Sequence, residues 1–552
     1  MKLSIPSATR CFSTNLLWVS LVGVLAGCPP SDRGKATAKE PAPGKASTLV
    51  VHIDVNPPAL LPTIHPDQWA VRITSHNVYE ALLRYSPNPP YGLEGELATA
   101  WKIEEEGRVL TFELRRGVRW HDGKPFTARD VRFTLDRILD EKVRAASTRA
   151  TLAPHIERYE VLGPHRFRIV CKKASPFFLH ALPAVPIIPE HIFRDSDLNH
   201  HPRLRSPLGT GPYRFVRWRS GRDITLERHK GYWGKKASIE RLVFRVVRSP
   251  QQALRLAHRG ELDFLPRLHG SQLGSALEND VVLRRRFRRI QHVTPGTSYV
   301  LLNHRRSMFS DVRVRRALSL LLDVETIVTH LMRGQAKRIS SLYWMGDPDC
   351  DQGLRPTRFD PAAAVKLLDS VAADSDGDGI REVGGKPFRF TFFVVAASRT
   401  TRRWATIYQQ QLKKAGIEMT IKPVEWAAYL QAIRRHDFDM GTLGMAFSAP
   451  YSDLYLQFHS SQADDGQNYG AYSNPEADRL MAAIRREMDP KKRRAQGTRL
   501  QHLLAADVAA IPLFTLTEPG LLSRRVQGAL STFPWYRLAS WRLTNVSAAQ
   551  KR

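Results

Sequence analysis

From Leu49 onward, short apolar runs alternate with stretches in which apolar residues recur every three or four positions, the mark of strands alternating with helices. The clearest unit runs from Phe388 to Glu425. Phe390-Thr391-Phe392-Phe393-Val394-Val395 reads as a strand, and Ser398-Arg399-Thr400-Thr401 offers hydroxyls to cap the next helix. Trp404, Ile407, Tyr408, Leu412 and Ala415 then form one apolar helical face, and Gly416 supplies a left-handed stop. Ile417 to Val424 reads as a second strand, Trp426 to His436 as a second amphipathic helix, and Phe438 to Leu443 as a third strand. Two successive strand–helix–strand units imply a parallel sheet with right-handed crossovers. Ligands of such sheets sit beyond the carboxyl ends of the strands, which makes Gly444, Met445 and Ala446 candidate contacts.

Elsewhere, Asp311 to Leu322 carries Val312, Val314, Ala317, Leu318, Leu321 and Leu322 on a helical face, and Pro361 opens a helix to Ala372. Asp374-Ser375-Asp376-Gly377-Asp378-Gly379 begins like a calcium loop, but Gly385 occupies the twelfth position, where an EF-hand needs a bidentate Glu. A polar turn before the Phe388 strand is the expectation, with no metal site. No internal repeat is visible.

The N-terminus follows a different pattern. Lys2 and Arg10 precede a mostly apolar run from Leu16 to Ala26. That run is far short of the ~20 residues a spanning helix needs, so it reads as a signal-peptide core. Leu25-Ala26-Gly27-Cys28 resembles the bacterial lipobox, which implies that Cys28 becomes the lipidated first residue of the mature protein. Pro29 to Thr48 is rich in Pro, Gly, Ala, Ser and Lys and lacks periodic apolar residues, so it is expected to be a mobile tether. These features place the protein on the periplasmic side of a bacterial membrane, held by lipid.

A chain of 552 residues exceeds what one core organises and suffices for two or three domains. Its 42% hydrophobic and 9% aromatic content is that of a globular protein. Beyond the leader and Cys28 only Cys171 and Cys350 remain, and an oxidising compartment would let them pair if their backbones approach. The formal net charge is +30, with Arg284-Arg285-Arg286-Phe287-Arg288-Arg289 the densest cluster. Basic residues spread over the whole chain, without zinc-ligand spacing or a basic helix, argue against nucleic acid and for a surface facing anionic lipid.

Several phrases in order give a resemblance to the bacterial extracellular solute-binding protein family that includes the oligopeptide- and dipeptide-binding proteins of ABC importers. Asn77-Val78-Tyr79-Glu80-Ala81-Leu82 resembles an early helix of the family, and Glu96 to Trp101 a second phrase. The run from Thr111 to Val131, with Trp120-His121-Asp122-Gly123-Lys124-Pro125-Phe126 at its centre, is close to the most specific signature. Gly209-Thr210-Gly211-Pro212-Tyr213-Arg214-Phe215, Tyr232-Trp233-Gly234 and Asp311 to Leu318 follow. The residues also suit structural duties: Gly123 is free to take positive φ in a turn, and Gly209 to Pro212 suits a crossing between lobes.

The resemblance implies an α/β, two-lobed periplasmic-binding-protein-like fold (type II) with an extra inserted α/β domain. Residues 1–27 would be the signal peptide, 28–48 the tether, 49–90, 204–292 and 516–545 lobe I, 91–203 the inserted domain, and 293–515 lobe II. In peptide-binding members a glycine and tryptophan open a short stretch, and an aspartate three residues on pairs with the peptide's α-ammonium. Here Gly444 is kept, Met445 replaces the tryptophan and Ser448 the aspartate. A hydroxyl cannot balance a buried ammonium. Either Asp453 takes over or the ligand is not an ordinary peptide with a free amino terminus. Backbone groups of Gly444 to Ala446 remain able to pair with an extended ligand, and Trp69, Tyr343 and Trp344 are candidate aromatic walls, or packing within a lobe.

The function so implied is a monomeric, lipid-anchored receptor that closes on a peptide or peptide-like solute and passes it to ABC permease subunits in the membrane. The alternative is a sensor for a non-peptide solute, such as a metal chelate or glycan, that docks to a signalling partner. An exported hydrolase ranks last. There is no His-Glu-x-x-His, no Gly-x-Ser-x-Gly and no zinc cysteine pair, and His200-His201 and His436-Asp437 stand isolated. No catalytic residue and no cofactor is called for.

Overall fold

The computed structural model describes residues 45–65, 67–87, 91–268, 272, 279–447, 450–528 and 537–544. Cys28, its leader and most of the tether lie outside these residues, as does Ser448. Among the described residues no helix is long and apolar enough to cross a membrane.

A twelve-stranded mixed sheet is organised around one long strand, Ile511–Ser523, whose side chains are buried at nearly every position. On one side lie in turn Gly296–Leu302, Met440–Ala446, Arg389–Val395 and Glu418–Val424. On the other lie Phe264–Leu265, Thr48–Ile53, Arg241–Val246, Asp223–Arg228 and Tyr213–Arg219. Phe287–Val293 and Ala336–Arg338 also pair with Ile511–Ser523 off this path. Arg389–Val395 runs parallel to both Glu418–Val424 and Met440–Ala446, as the two strand–helix–strand units require.

Helix Arg399–Lys414 starts at Ser398, whose side chain accepts a hydrogen bond from the Thr401 N–H, and Gly416 takes φ +74 after its end. It buries Trp404, Ala405, Tyr408 and Leu412 against the sheet, but Ile407 faces outward and is 37% exposed. The third strand begins at Met440, two residues later than the apolar run suggests, because the left-handed His436 (φ +54) turns the chain after helix Trp426–Arg434. Asn77 to Leu82 is a turn and not a helix; the helix there is Gln68–Thr74, and His76 at φ +57 reverses the chain after it.

A separate antiparallel sheet orders Ala98–Glu104, Val109–Leu114, Arg166–Cys171 and Ile156–Gly163. Helix Ala128–Leu139 packs on it, started by a capping box between Thr127 and Asp130. Phe112, Trp120, Phe126, Leu135 and Phe167 form its core, and Gly123 takes the positive φ (+88) its turn requires. Two further cores flank the large sheet, one gathering Leu49, Trp69, Tyr213, Phe244 and Trp541, the other Val300, Leu318, Phe392, Trp404 and Ile511.

The phrases singled out in the sequence converge on Glu80. Its carboxyl accepts from Thr210 Oγ1 (2.8 Å), Tyr232 Oη (2.7 Å) and Trp233 Nε1 (2.9 Å). Complete burial, with the Glu96 charge nearby, pushes its pKa up to about 8. Gly211 N–H donates to Val78 O and Tyr213 N–H to Asn77 O, so Gly209 to Tyr213 is laid against the turn that carries Glu80. These phrases bind the fold together. Cys171 and Cys350 are both buried and both free, so the pairing their compartment would permit is not formed.

Candidate functional site

Strand Met440–Ala446 pairs antiparallel with Gly296–Leu302 along its whole length, with Ser298 opposite Gly444, Thr297 opposite Met445 and Gly296 opposite Ala446. Gly296 permits that approach, since a Cβ there would lie 2.5 Å from Met445 O. On its other edge the ladder to Arg389–Val395 reaches only Phe392↔Met440 and Phe393↔Gly441. Beyond Gly441 that edge is outside the ladder. The Thr442 carbonyl accepts from Tyr429 Oη (2.6 Å), and from Leu443 onward the edge has no strand neighbour among the described residues, the arrangement by which a sheet takes up an extended segment. Gly444 and Ala446 are exposed there, while Met445 turns inward.

The candidate aromatic residues go to different places. Met445 and Tyr343 share one core with Tyr299, Leu342, Phe393 and Tyr429. Trp344 joins Tyr85 and Tyr91 in a cluster against which Val71, Leu93, Val293, Met345 and Phe447 pack. The Tyr91 and Trp344 rings stack at 6.0 Å with 19° between their planes. This cluster joins residues 71–93 to residues 293–447, and Phe447, which follows the strand directly, touches it and the Met445 core alike. Trp69 lies elsewhere, in the N-terminal core, its Nε1 donating to Asp54 Oδ1 (2.7 Å) and Arg72 lying over its ring.

Polar groups lock the Trp344 loop. Trp344 N–H donates to Ser452 Oγ (3.0 Å), and Ser452 N–H to Asp347 Oδ2 (2.5 Å). Asp347 also accepts from Asp349 N–H (2.7 Å); burial, with the Asp349 charge adding to it, pushes its pKa up to about 7. Asp349 is held by Arg493 Nε at 2.9 Å, the two side chains being 9% and 4% exposed. The Arg493 guanidinium lies over Tyr451 (4.8 Å), and the Tyr451 ring lies 4.0 Å from His180, whose pKa burial pushes down to about 3. Tyr85 Oη donates to the His180 carbonyl, closing a chain of contacts from Asp349 back to the Tyr91 cluster.

Asp453 already has a partner. Its Oδ2 lies 3.1 Å from Arg485 Nε and its Oδ1 accepts from Tyr455 N–H, while burial pushes its pKa up against the Arg485 charge. A ligand ammonium at Asp453 has to share that carboxylate with Arg485. Across the long central strand, Glu518 receives Arg72 Nη2 (2.5 Å) and Gln68 Nε2 (3.3 Å), opposite His292, whose pKa burial and Arg72 push down to about 4. At Asp374 the chain bends as expected, and the Gly377 and Gly379 N–H groups each donate to one oxygen of the Asp374 carboxylate. Glu382 nevertheless brings a third carboxylate within 4.8 Å of those of Asp374 and Asp376. Tyr85, Tyr91, His180, Tyr451 and Arg493 were not flagged by the sequence; Arg493 sits in the run Lys491 to Arg494 with nothing local to distinguish it.

The sequence model of the bacterial extracellular solute-binding proteins, family 5 Middle, matches residues 92–467. The oligopeptide-binding protein AppA of Bacillus subtilis is 28% identical over 517 residues, covering 90% of this chain and 92% of AppA. Protein XP55 of Streptomyces lividans is 30% identical over 413 residues, covering 74% and 73%. Among solved structures, HbpA2 from Haemophilus parasuis aligns with a TM-score of 0.80 at 22% identity, over 90% of this chain and 100% of that one. The fold is thereby that of the two-lobed periplasmic binding proteins.

Proposed function

The chain belongs to the bacterial extracellular solute-binding proteins, family 5, and from that premise we propose that it captures a peptide or peptide-like solute between its lobes for delivery to ABC importer permeases. Binding proteins and not enzymes make up the family, and we extend that to this chain. The name of the AppA relative, an oligopeptide-binding protein, supports a peptide ligand.

The observation that carries the reading is the cluster in which Trp344 and Phe447 meet Tyr85 and Tyr91, next to the open edge of Met440–Ala446. An extended ligand laid on that edge has backbone partners on one side and, at its end, half-buried Phe447 backed by the buried Trp344–Tyr91 stack. The lobes run as 49–90, 204–292 and 516–545 against 293–515, with 91–203 inserted; the separate cores around Phe112, Phe244 and Phe392 support this division. Cys28 carries the lipid anchor in this reading, on the strength of Leu25-Ala26-Gly27-Cys28, and the receptor works as a monomer on the periplasmic side.

Calorimetry with a library of short peptides, free and N-acetylated, tests the proposal, with a parallel assay for peptide hydrolysis. Saturable binding without turnover is expected, weakened about tenfold or more by Trp344→Ala. Absence of peptide binding, or turnover abolished by one cleft substitution, overturns it.

A further inference from the structure

A concavity opens where Tyr232 to Ser238 meets Gly95, Glu96 and residues Arg537 to Arg542. Its volume is about 330 Å³. Six cations line it: Arg84, Arg115, Lys235, Lys236, Arg537 and Arg542. The acids present do not offset them. Glu96 lines the cavity, but its carboxylate is taken by His76 Nδ1 (2.9 Å) and the Ala81 N–H (2.8 Å). Glu80, behind the wall, is held toward its neutral form by burial. Glu94 lies 3.1 Å from Arg84 Nε and 4.0 Å from Arg537 Nη1, one carboxylate between two guanidiniums. Lys235, Lys236 and Arg542 make no ion pair among the described residues.

The wall is fixed before any ligand arrives. Trp233 is pinned by its bond to Glu80 and lies under the Arg115 guanidinium at 4.2 Å. Arg115 spends its Nε on the Glu96 carbonyl (3.2 Å), which directs the rest of the fork elsewhere. Arg537 is anchored by Nη1 to the Tyr85 carbonyl (3.3 Å), and burial together with the Arg84 charge weakens its hold on its proton. Like charges gathered in a half-enclosed space repel, and a polyanion removes that repulsion. Guanidinium forks suit phosphate oxygens in bidentate fashion, and lysines suit them as point charges.

We propose that this cavity binds a phosphate-bearing anion, on residues none of which belongs to the Trp344 cluster. The same chemistry is offered by free pyrophosphate and by the headgroup of an anionic phospholipid, and the experiment distinguishes these sources. Full-length purified protein is titrated with inorganic pyrophosphate at low ionic strength, alongside Lys235→Gln/Lys236→Gln and, separately, Arg84→Gln. Arg288→Gln/Arg524→Gln, which neutralises the basic groove beside Gly528, is the control for general surface charge. One-to-one binding is expected, weakened about tenfold by either cavity variant and less than about twofold by the control. Thermal melts matching wild type show that the variants fold. Flotation with phosphatidylglycerol vesicles then separates the sources. Vesicle binding that pyrophosphate displaces assigns the site to a headgroup, and pyrophosphate binding without vesicle binding assigns it to a free anion. No saturable pyrophosphate binding, or equal weakening by the control, overturns the proposal.

Discussion

Replacing Arg493 by methionine keeps most of the side-chain volume and removes the charge. The pair it forms with Asp349 is buried on both sides, with side-chain exposures of 4% and 9% and Nε at 2.9 Å from Oδ2. Exposed ion pairs contribute ~0–1 kcal/mol, but stranding one partner of a buried pair costs about 3–5 kcal/mol. The Asp347 carboxylate next to Asp349 raises that cost, because two acids then share a pocket that has lost its cation. Loss of the guanidinium over Tyr451 adds ~0.5–1 kcal/mol or more where the site is desolvated. Urea denaturation of Arg493→Met at pH 8 is therefore expected to fall short of wild type by about 3–5 kcal/mol. Asp349→Asn added to Arg493→Met removes the unpaired charge and recovers most of the loss. The same variant loosens the loop that carries Trp344, so on the proposed reading peptide affinity is expected to fall with stability and to return with it. A deficit below about 1 kcal/mol, or a double variant no better than the single, would refute the reasoning.

Glu80, with its pKa raised from 4.5 to about 8, holds one proton more in the folded chain than in the unfolded one between those values. Its contribution to stability therefore declines as pH rises through that window. Glu80→Gln lacks that slope, so its stability relative to wild type should improve from pH 5 to pH 9 by more than about 1 kcal/mol; a flat difference in denaturation midpoints refutes this. Gly209→Ala places a methyl group 1.8 Å from Val78 O, a backbone atom that cannot give way. Loss of soluble folded protein, or about 3 kcal/mol or more of stability, is expected, against ~1 kcal/mol for Gly117→Ala, where φ is +76 but the space is open; equal behaviour of the two in thermal melts counts against the argument. Cys28→Ser should leave an exported chain that fractionates as soluble, and continued membrane association after leader cleavage counts against lipidation.

The strand–helix–strand unit from Phe390 to Val424 was legible because its period is local. Trp404, Tyr408 and Leu412 repeat every four residues, and Ser398 and Gly416 mark the ends where the backbone needs them. Ile407 was placed on that face by spacing alone, yet sheet contact covers a narrower stripe than the spacing permits. Asn77 to Leu82 failed for a different reason: Glu80 is fixed by Thr210, Tyr232 and Trp233, partners 130 to 153 residues away, and no local pattern records them. Of the candidate site, Met445, Tyr343 and Trp344 came from position in the fold and from the resemblance, and all three are buried. Arg493 and Asp349, 144 residues apart, meet only once the chain has folded, and Tyr91 and His180 reach the cluster the same way.

Strand Ile511–Ser523 pairs with Gly296–Leu302, Phe264–Leu265, Phe287–Val293 and Ala336–Arg338, and so closes both arms of the large sheet. It is also made late, after 510 residues have been synthesised. Until then Phe264–Leu265 and Gly296–Leu302 lack the neighbour that unites them, and neither arm can finish its sheet. A chain that crosses a membrane before folding gains from this order, because the large sheet cannot close while the chain is still in transit. Fragments broken off ahead of residue 511 never complete the sheet either, which leaves their strand edges open.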